Sequence, residues 1–420
     1  MKGLFFINFM IVMSCVAVFS LVLWNYIMRT SRKWAVVVGG LAVTLVAVGE
    51  LAYYGMLFPQ WISSPWKGVL FYGALASLSW LFIFWLAFPV LLLGALGVCI
   101  WRRTHRSCKR EEQDHRIQAA AVRPQLQVSR RTFLKGAAAA IPVAAAATST
   151  LGNVVGESCL DVSLHRLSYS MLPDYLEGYK IGQISDVHMG LFFSPERLQE
   201  AMDALAAQGV QRLEITGDLI DELSLLPACR RVIEDNASRF PDGVDFCYGN
   251  HEYYRSLPAI RDMLEQTPVR ILCNSHIEVS PGRGEQLAHS TGHDDRPFYI
   301  AGVDYSFAKG DEAFAAEREA FVQDALEGIP DDAFVVMLAH HSAFIDEAFA
   351  HHIPLTLCGH THGAQFAPIG PIVEAVGFKY LRGLFRQGES VGYVNRGTGH
   401  WLPLRVFCSR EVSVFELHRN

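Results

Sequence analysis

Two features that this 420-residue chain lacks exclude two classes of function. Its nine cysteines include no pair at C-x-x-C spacing, which argues against a zinc site held by cysteines. Basic residues are not in excess, because Lys and Arg number 36 against 42 Asp and Glu, for a formal net charge of -6. Nucleic-acid-binding domains carry a basic surface, so we expect no nucleic-acid partner.

Charged residues are scarce in the first hundred residues. Residues 3–28 and 68–101 contain no charge, and residues 34–58 contain only Glu50. A helix of about 20 consecutive apolar residues is long enough to span a bilayer. These runs therefore predict a three-helix transmembrane region over residues 1–101.

The basic residues that follow these runs predict an orientation. Clusters at residues 29–33 and 102–110 are placed in the cytoplasm by the positive-inside rule. We interpret residues 102–135 as a cytoplasmic basic linker that ends in a twin-arginine-like motif at Arg130 and Arg131. Residues 136–154 are weakly apolar and fit either a fourth membrane segment or an export signal. Both alternatives predict a multi-pass protein of the cytoplasmic (inner) membrane, with the rest of the chain on the outer, periplasmic side.

From residue 155 onward the pattern changes to short apolar runs that alternate with amphipathic segments. Strands are predicted at residues 179–185, 210–215, 244–248, 269–272, 298–303, 334–338 and 355–358. Helices are predicted at residues 195–208, 230–239, 257–265 and 312–326. Such alternation is typical of an α/β fold. We expect residues 155–179 to be a flexible tether before this domain.

Polar clusters follow five of the predicted strands directly. They are Asp186-Val-His188, Gly217-Asp218-Leu-Ile-Asp221, Gly249-Asn250-His251-Glu252, His340-His341 and Gly359-His360-Thr-His362-Gly. Ligand sites of open α/β sheets lie at the carboxyl ends of strands, so these side chains are expected to meet. Carboxylate, imidazole and amide ligands suit manganese, iron or zinc. The sequence therefore predicts a site for two divalent metal ions.

In this order the clusters resemble the pattern of the calcineurin-like metallophosphoesterases, which is D-x-H, GD-x-x-D, GNH-D/E, a lone His and GH-x-H. Residues 359–365 and 393–399 are similar to the bacterial membrane-anchored branch of that superfamily. The resemblance implies a four-layer α/β/β/α metallophosphoesterase sandwich over residues 155–420, preceded by transmembrane helices. One departure is Ala364, which stands where the branch usually has Gly.

The resemblance also implies a ligand set. The expected metal ligands are Asp186, His188 and His362 for the first ion, Asn250, His340 and His360 for the second, and Asp218 as the bridge. His340 is preferred over His341 because it is the first His after its predicted strand. Asp221 is expected behind the ligands, and His251 is expected near the leaving group as general acid or charge stabiliser.

Together these expectations predict a hydrolase. The resemblance implies a membrane-anchored phosphoesterase in which a hydroxide shared by the metals attacks phosphorus, without a covalent enzyme intermediate. A membrane tether would favour a lipid-linked or envelope phosphoester or pyrophosphate. Two alternatives stay open: a UDP-diacylglucosamine-type pyrophosphohydrolase of lipid A synthesis, whose cytoplasmic substrate conflicts with the predicted topology, and a non-catalytic membrane sensor or scaffold. Glu252, at the end of the third cluster, and the following Tyr253 and Tyr254 are expected to shape substrate access; the alternative for the two tyrosines is packing on the sheet edge.

Overall fold

The computed structural model describes residues 159–190, 193–280, 296–365, 370–400 and 405–420, with short helical stretches before residue 157. The chain divides into two compact units, Met1–Val154 and Val155–Asn420. All of the polar clusters lie in the second unit.

The predicted membrane location is wrong, because the described helices do not include a membrane span. Within the part of the chain that is described, no helix is long and apolar enough to cross a bilayer. The transmembrane part of the predicted fold is therefore unsupported, and most of the predicted spans, with segments 102–135 and 136–154, lie outside the described residues.

The expected tether is also corrected in part. Leu160–Tyr169 is a ten-residue strand, β1, which pairs in parallel with the last strand of the chain over its whole length. Its backbone hydrogen bonds hold it in the sheet, so this part of residues 155–179 is not a flexible linker.

Two mixed sheets form the frame of the second unit. The further strands are β2 (Lys180–Ile184), β3 (Arg212–Thr216), β4 (Gly243–Cys247), β5 (Val269–Ile271), β6 (Ser275–Val279), β7 (Phe298–Gly302), β8 (Phe334–Leu338), β9 (Leu355–Cys358), β10 (Gly383–Gln387), β11 (Ser390–Val394) and β12 (Arg410–Arg419). The helices are α1 (Pro195–Ala207), α2 (Leu226–Ala237), α3 (Asn250–Arg255), α4 (Leu257–Leu264), α5 (Asp311–Leu326), α6 (Ile345–Ala350) and α7 (Gly370–Val376). The predicted α/β class is confirmed.

The strand order places the site-bearing strands next to one another. The first sheet has the order β1-β12-β2-β3-β4-β5, and the second has β10-β11-β9-β8-β7-β6. From β2 to β5 the strands are parallel, as are β7, β8, β9 and β11. The carboxyl ends of β2, β3 and β4 therefore lie along one edge of the first sheet, and those of β8 and β9 along one edge of the second.

Three apolar cores separate four layers. The first core packs α1, α2 and α4 against the outer face of the first sheet, with residues such as Leu198, Ile215 and Ile233. The second lies between the two sheets and joins residues such as Ile181 to Leu338. The third packs α5 and α6 on the second sheet. Burial on both faces explains why β8, Phe-Val-Val-Met-Leu, is apolar and buried throughout.

Polar contacts tie the two sheets together at the site edge. The Gln183 amide at the end of β2 donates to the Cys358 carbonyl at the end of β9, at 2.9 Å. His340 Nδ1 donates to the Thr216 carbonyl at the end of β3, at 2.7 Å. The clusters of one sheet thus face those of the other.

Candidate metal centre

Five of the predicted ligands lie in left-handed backbone, which directs their side chains toward the site. Asp186, His188, Asp218, His360 and His362 have φ angles of 52°, 48°, 54°, 73° and 51°. Residues other than glycine rarely adopt this region, and such strain collects at functional sites. Each strand thus ends in a sharp turn, which directs the next polar side chains to the common edge.

Two glycines of the motifs are required by close packing. A Cβ on Gly217, whose φ is 80°, would lie 2.6 Å from His340 Nδ1. A Cβ on Gly359 would overlap the Asp186 carboxylate and the Ser185 hydroxyl. The glycine before Asp218 and the one before His360 therefore let the loops of the two sheets approach each other.

The first cluster contains Asp186, His188 and His362. His188 Nε2 and His362 Nε2 are 3.0 Å apart, and Asp186 Oδ1 is 3.3 Å from His362 Nε2. Asp186 Oδ1 also lies 4.0 Å from His188 Nε2. All three side chains are buried, so three donor atoms converge on one small volume.

The second cluster contains Asp218, His340 and His360. His340 Nε2 lies 3.2 Å from Asp218 Oδ2 and 3.2 Å from His360 Nδ1. Since the Nδ1 proton of His340 is donated to Thr216, its Nε2 atom faces the cluster, which is the orientation of a metal ligand. Among the described residues, no donor reaches the buried Oδ1 of Asn250, the remaining predicted ligand.

Asp218 belongs to both clusters. Its Oδ2 lies 3.2 Å from His340 Nε2 and 3.6 Å from His188 Nε2. Its Oδ1 accepts the backbone N–H of His251 at 2.8 Å, which fixes the orientation of the carboxylate. One oxygen thus faces imidazoles of both groups, as a bridging carboxylate must.

The donor set fits two divalent cations. Two pairs of imidazole nitrogens, 3.0 Å and 3.2 Å apart, are each close enough to share one proton or to bind one cation. The buried Asn250 oxygen, which accepts from no donor among the described residues, is a further ligand atom available at the site. Nitrogen and oxygen donors without thiolates match manganese, iron and zinc.

The electrostatics of the site keep three of the donors, Asp218, His360 and His362, in the protonation state of a metal ligand. Burial disfavours the Asp218 carboxylate, yet the His340 and His188 imidazoles outweigh it and hold its pKa far below the usual range. Burial and the His188 ring keep the pKa of His362 well below its usual value, so this imidazole is neutral. Burial likewise keeps the pKa of His360 low.

The negative charge of the buried Asp186 and Asp218 carboxylates must be balanced by positive charge nearby. Burial and the Asp218 carboxylate raise the pKa of Asp186. Burial opposes charge on His340, but the carboxylates of Asp218 and Asp186 raise its pKa to about 10. In the absence of a cation, protons take up the role of balancing these buried carboxylates.

Asp221 lies behind the ligands and positions two imidazoles. Its Oδ1 accepts from His251 Nδ1 at 2.6 Å, and its Oδ2 lies 3.5 Å from His188 Nδ1. Arg255 also contacts this carboxylate, through Nε to Oδ1 and a terminal nitrogen to Oδ2, both at 3.1 Å. These imidazole contacts hold the pKa of Asp221 far below its usual range despite burial, so it accepts hydrogen bonds only.

Glu252 has a role that the sequence did not reveal. It is buried, and its carboxylate accepts the backbone N–H groups of Asp218, Leu219 and Gly249 at 2.9, 2.8 and 2.7 Å. The residue therefore joins the second and third loops and does not face substrate, contrary to the expectation from the sequence. Only Tyr253 and Tyr254 of that trio remain near the surface.

The structure separates His340 from His341. His340 lies in the second cluster, whereas His341 Nδ1 accepts the Ala343 N–H at 3.1 Å and caps the short turn Ser342–Phe344. Burial, followed by the charge of His340, lowers the pKa of His341 to about 3. The structure thus places His340, not its neighbour, among the donors.

The frame and its clustered donors define a dinuclear-metal hydrolase. Residues 179–364 match the family model of calcineurin-like phosphoesterase, so this part of the chain is a domain of the calcineurin-like metallophosphoesterase superfamily. It is accordingly a metal-dependent phosphoester hydrolase that uses two divalent ions. The alternative of a non-catalytic sensor or scaffold is set aside.

Curated relatives agree with this family. The chain is 27% identical over 309 residues to "Uncharacterized metallophosphoesterase YkuE" of Bacillus subtilis (strain 168). The matched region covers 69% of this chain and 98% of that protein. It is 25% identical over 303 residues to "Phosphodiesterase YaeI" of Escherichia coli (strain K12), covering 69% of this chain and 99% of that one. An "Uncharacterized metallophosphoesterase" of Helicobacter pylori (strain ATCC 700392 / 26695) is 27% identical over 241 residues, 57% of this chain and 59% of that protein.

Proposed function

We propose that the chain hydrolyses a phosphodiester at this centre. The observation that carries the proposal is the position of Asp218 Oδ2, which lies between an imidazole of each cluster. Such a carboxylate holds two cations close enough to act on one phosphoryl group. The name of the similar protein YaeI, a phosphodiesterase, supports a diester as the substrate.

The proposed ligands are the seven residues predicted from the sequence. Asp186, His188 and His362 would hold one ion, Asn250, His340 and His360 would hold the other, and Asp218 would contribute to both. When bound, two divalent ions supply Lewis acidity, which withdraws charge from the phosphoryl oxygens and lowers the pKa of water.

His251 is the proposed proton donor to the leaving group. Because Asp221 is ionised and accepts only, His251 Nδ1 must donate to it, and the ring is thereby held with Nε2 on its other side. Water attacks phosphorus and releases a proton to solvent, and the P–O bond to the leaving group breaks. The imidazolium form of His251, with a proton on each ring nitrogen, gives its Nε2 proton to the departing oxygen and regains one from solvent. Asp221 and Arg255 are positioning residues in this scheme.

A lipid-linked substrate remains a prediction, but the observation that supports it has changed. Its basis in the sequence was a membrane tether, and that location is contradicted. What supports an apolar substrate now is the aromatic surface beside His251, which includes Tyr254 and Phe307.

Metal analysis and turnover of the Asp218→Asn variant test the proposal. The change removes the charge that holds two cations together, so we expect fewer than two metals per chain and hydrolysis of bis(p-nitrophenyl) phosphate at background. Asp262→Asn, an exposed change on α4, is the control and should match the wild type.

Two results would contradict the proposal. One is an Asp218→Asn variant with two metals and normal turnover. The other is a wild-type enzyme that cleaves p-nitrophenyl phosphate, a monoester, much faster than the diester, which would indicate a phosphatase.

A further inference from the structure

Three aromatic side chains form a continuous surface beside the metal centre. We call Tyr254, Phe307 and Tyr305 the aromatic shelf. The Phe307 ring lies 6.0 Å from the ring of Tyr254 and 4.8 Å from that of Tyr305. Tyr254 is 51% exposed and Phe307 is 44% exposed.

The aromatic shelf reaches both parts of the site. The Tyr254 ring lies 5.6 Å from the ring of His251, the proposed proton donor. At the other end, the Tyr305 ring lies 5.6 Å from His360 and 5.9 Å from His340. A group attached to a phosphoryl oxygen at the metals would therefore lie over the shelf.

The shelf is braced from below. Tyr253 packs edge-on against Phe307 at 5.2 Å, and its hydroxyl donates to both oxygens of Asp304 at 2.6 and 2.7 Å. An exposed aromatic residue alone needs no explanation, but a braced group of them at an active site indicates a binding surface.

A cavity opens at the Tyr305 end of the shelf. Its volume is about 290 Å³, and its walls include Tyr305, Phe307 and Phe314. Among its lining residues the only charged one is Asp311, an acid. This open space is large enough for one ring, which its aromatic side chains can contact, and an acidic wall does not favour further phosphate groups.

We propose that the substrate of this enzyme carries an aromatic or apolar group on its phosphoester, bound on the aromatic shelf and in the adjoining cavity. This inference rests on the proposed phosphodiesterase function. Because Tyr254 adjoins His251, the group on the shelf is the one that leaves as the alcohol. A nucleobase and a hydrocarbon chain share the required chemistry, and binding measurements separate them.

Calorimetric titration of the metal-loaded full-length protein tests the shelf without turnover. The probes are inorganic phosphate, 1-naphthyl phosphate, octyl phosphate and adenosine monophosphate. We expect 1-naphthyl phosphate to bind at least about tenfold more tightly than phosphate, as stacking on two rings allows. A gain shared by octyl phosphate only indicates a chain, and one shared by adenosine monophosphate only indicates a base.

Two shelf variants and a matched control complete the test. Phe307→Ala and Tyr254→Ala should each remove about tenfold of the naphthyl preference while leaving metal content and phosphate affinity unchanged. Leu164→Ala, an exposed apolar change on the edge strand β1, should bind like the wild type.

The failures of the two proposals are distinguishable. Equal affinity for phosphate and 1-naphthyl phosphate, or an undiminished preference in both shelf variants, overturns the shelf even if diesters are cleaved. Absence of diester cleavage by the metal-loaded wild type overturns the proposed function, whatever the binding of 1-naphthyl phosphate.

Discussion

Four successive residues at the last cluster lie in left-handed backbone. From His362 to Gln365 the φ angles are 51°, 58°, 64° and 52°. The Thr361 hydroxyl accepts the Gly363 N–H at 3.2 Å and donates to the Leu381 carbonyl at 2.5 Å, which holds the turn in place. The turn presents His362 to His188 at a cost in backbone strain.

Ala364 carries part of that strain, because a Cβ disfavours φ = 64°. Ala364→Gly should therefore raise the free energy of unfolding by roughly 1 kcal/mol. Urea unfolding of the metal-loaded protein measures the change. Ala204→Gly, in the middle of α1, is the control and should lower stability by about 1 kcal/mol. A loss of stability in Ala364→Gly would contradict the strained turn.

The proton-donor role of His251 predicts a dependence on the leaving group. His251→Ala should retain two metals and lose about 10²–10⁴-fold in rate with poor leaving groups, and much less with p-nitrophenol. A series of aryl diesters of graded leaving-group pKa measures this slope. His276→Ala, on β6, is the control, since the imidazole of His276 contacts the Ala325 carbonyl and none of the predicted ligands.

Two outcomes would remove that role from His251. An equal loss for good and poor leaving groups would exclude proton donation as its function. A loss of metal in His251→Ala would instead make it a ligand.

The sequence predicts the ligand types better than the contacts behind them. Asp186, Asp218 and His360 each lie two residues beyond the end of a strand, so their place at the sheet edge follows from chain geometry. The role of Glu252 does not, because its three backbone partners come from two loops that meet only in the folded chain. The cap formed by His341 likewise depends on a turn that no spacing indicates.

At the scale of elements, an ionic group is buried in the first sheet. Arg212, Glu214 and Asp245, on β3 and β4, are fully buried. Arg212 Nε donates to Glu214 at 3.0 Å, and another of its nitrogens contacts Asp245. Burial and the Asp245 carboxylate raise the pKa of Glu214 well above its usual value, so Glu214 depends on Arg212 for balance. Asp245 also accepts from Arg270 Nε at 2.8 Å.

Removal of Arg212 should therefore be costly. Arg212→Leu leaves Glu214 buried without its partner and Asp245 with only Arg270, and should lower the free energy of unfolding by about 3–5 kcal/mol. The exposed pair Arg230–Glu234 on α2 provides the control, and Arg230→Ala should cost less than about 1 kcal/mol. Equal effects in urea unfolding would show that the buried group contributes no more than a surface pair.

Elements with continuous apolar runs are the ones that the sequence predicts well. The bounds predicted for β8 and β9 match the structure, and those of α1 differ by one residue at the carboxyl end. β12 escapes prediction because charged residues interrupt it, although most of its positions are buried through pairing with β1 and β2. Strand β1 also escapes prediction, because it depends on pairing with a strand about 250 residues away in the sequence.

At the scale of the whole unit, the metal centre joins the two sheets. Asp186, His188, Asp218 and Asn250 come from loops of the first sheet, and His340, His360 and His362 from loops of the second. Without cations, buried carboxylates and unpaired donor atoms remain at the seam between the sheets, where they oppose folding. Metal binding to the folded state should therefore stabilise both sheets together.

Removal of metal tests this coupling. At a metal concentration 100-fold above the dissociation constant, binding contributes about 2.7 kcal/mol per site. That corresponds to a fall of roughly 5–10 °C in Tm for one site when a chelator strips the full-length protein. Readdition of Mn²⁺ should restore the Tm, with a shift that grows with the logarithm of metal concentration. Asp218→Asn should shift much less, because one carboxylate no longer serves both clusters; an equal shift in wild type and variant would place the stabilising ion elsewhere in the protein.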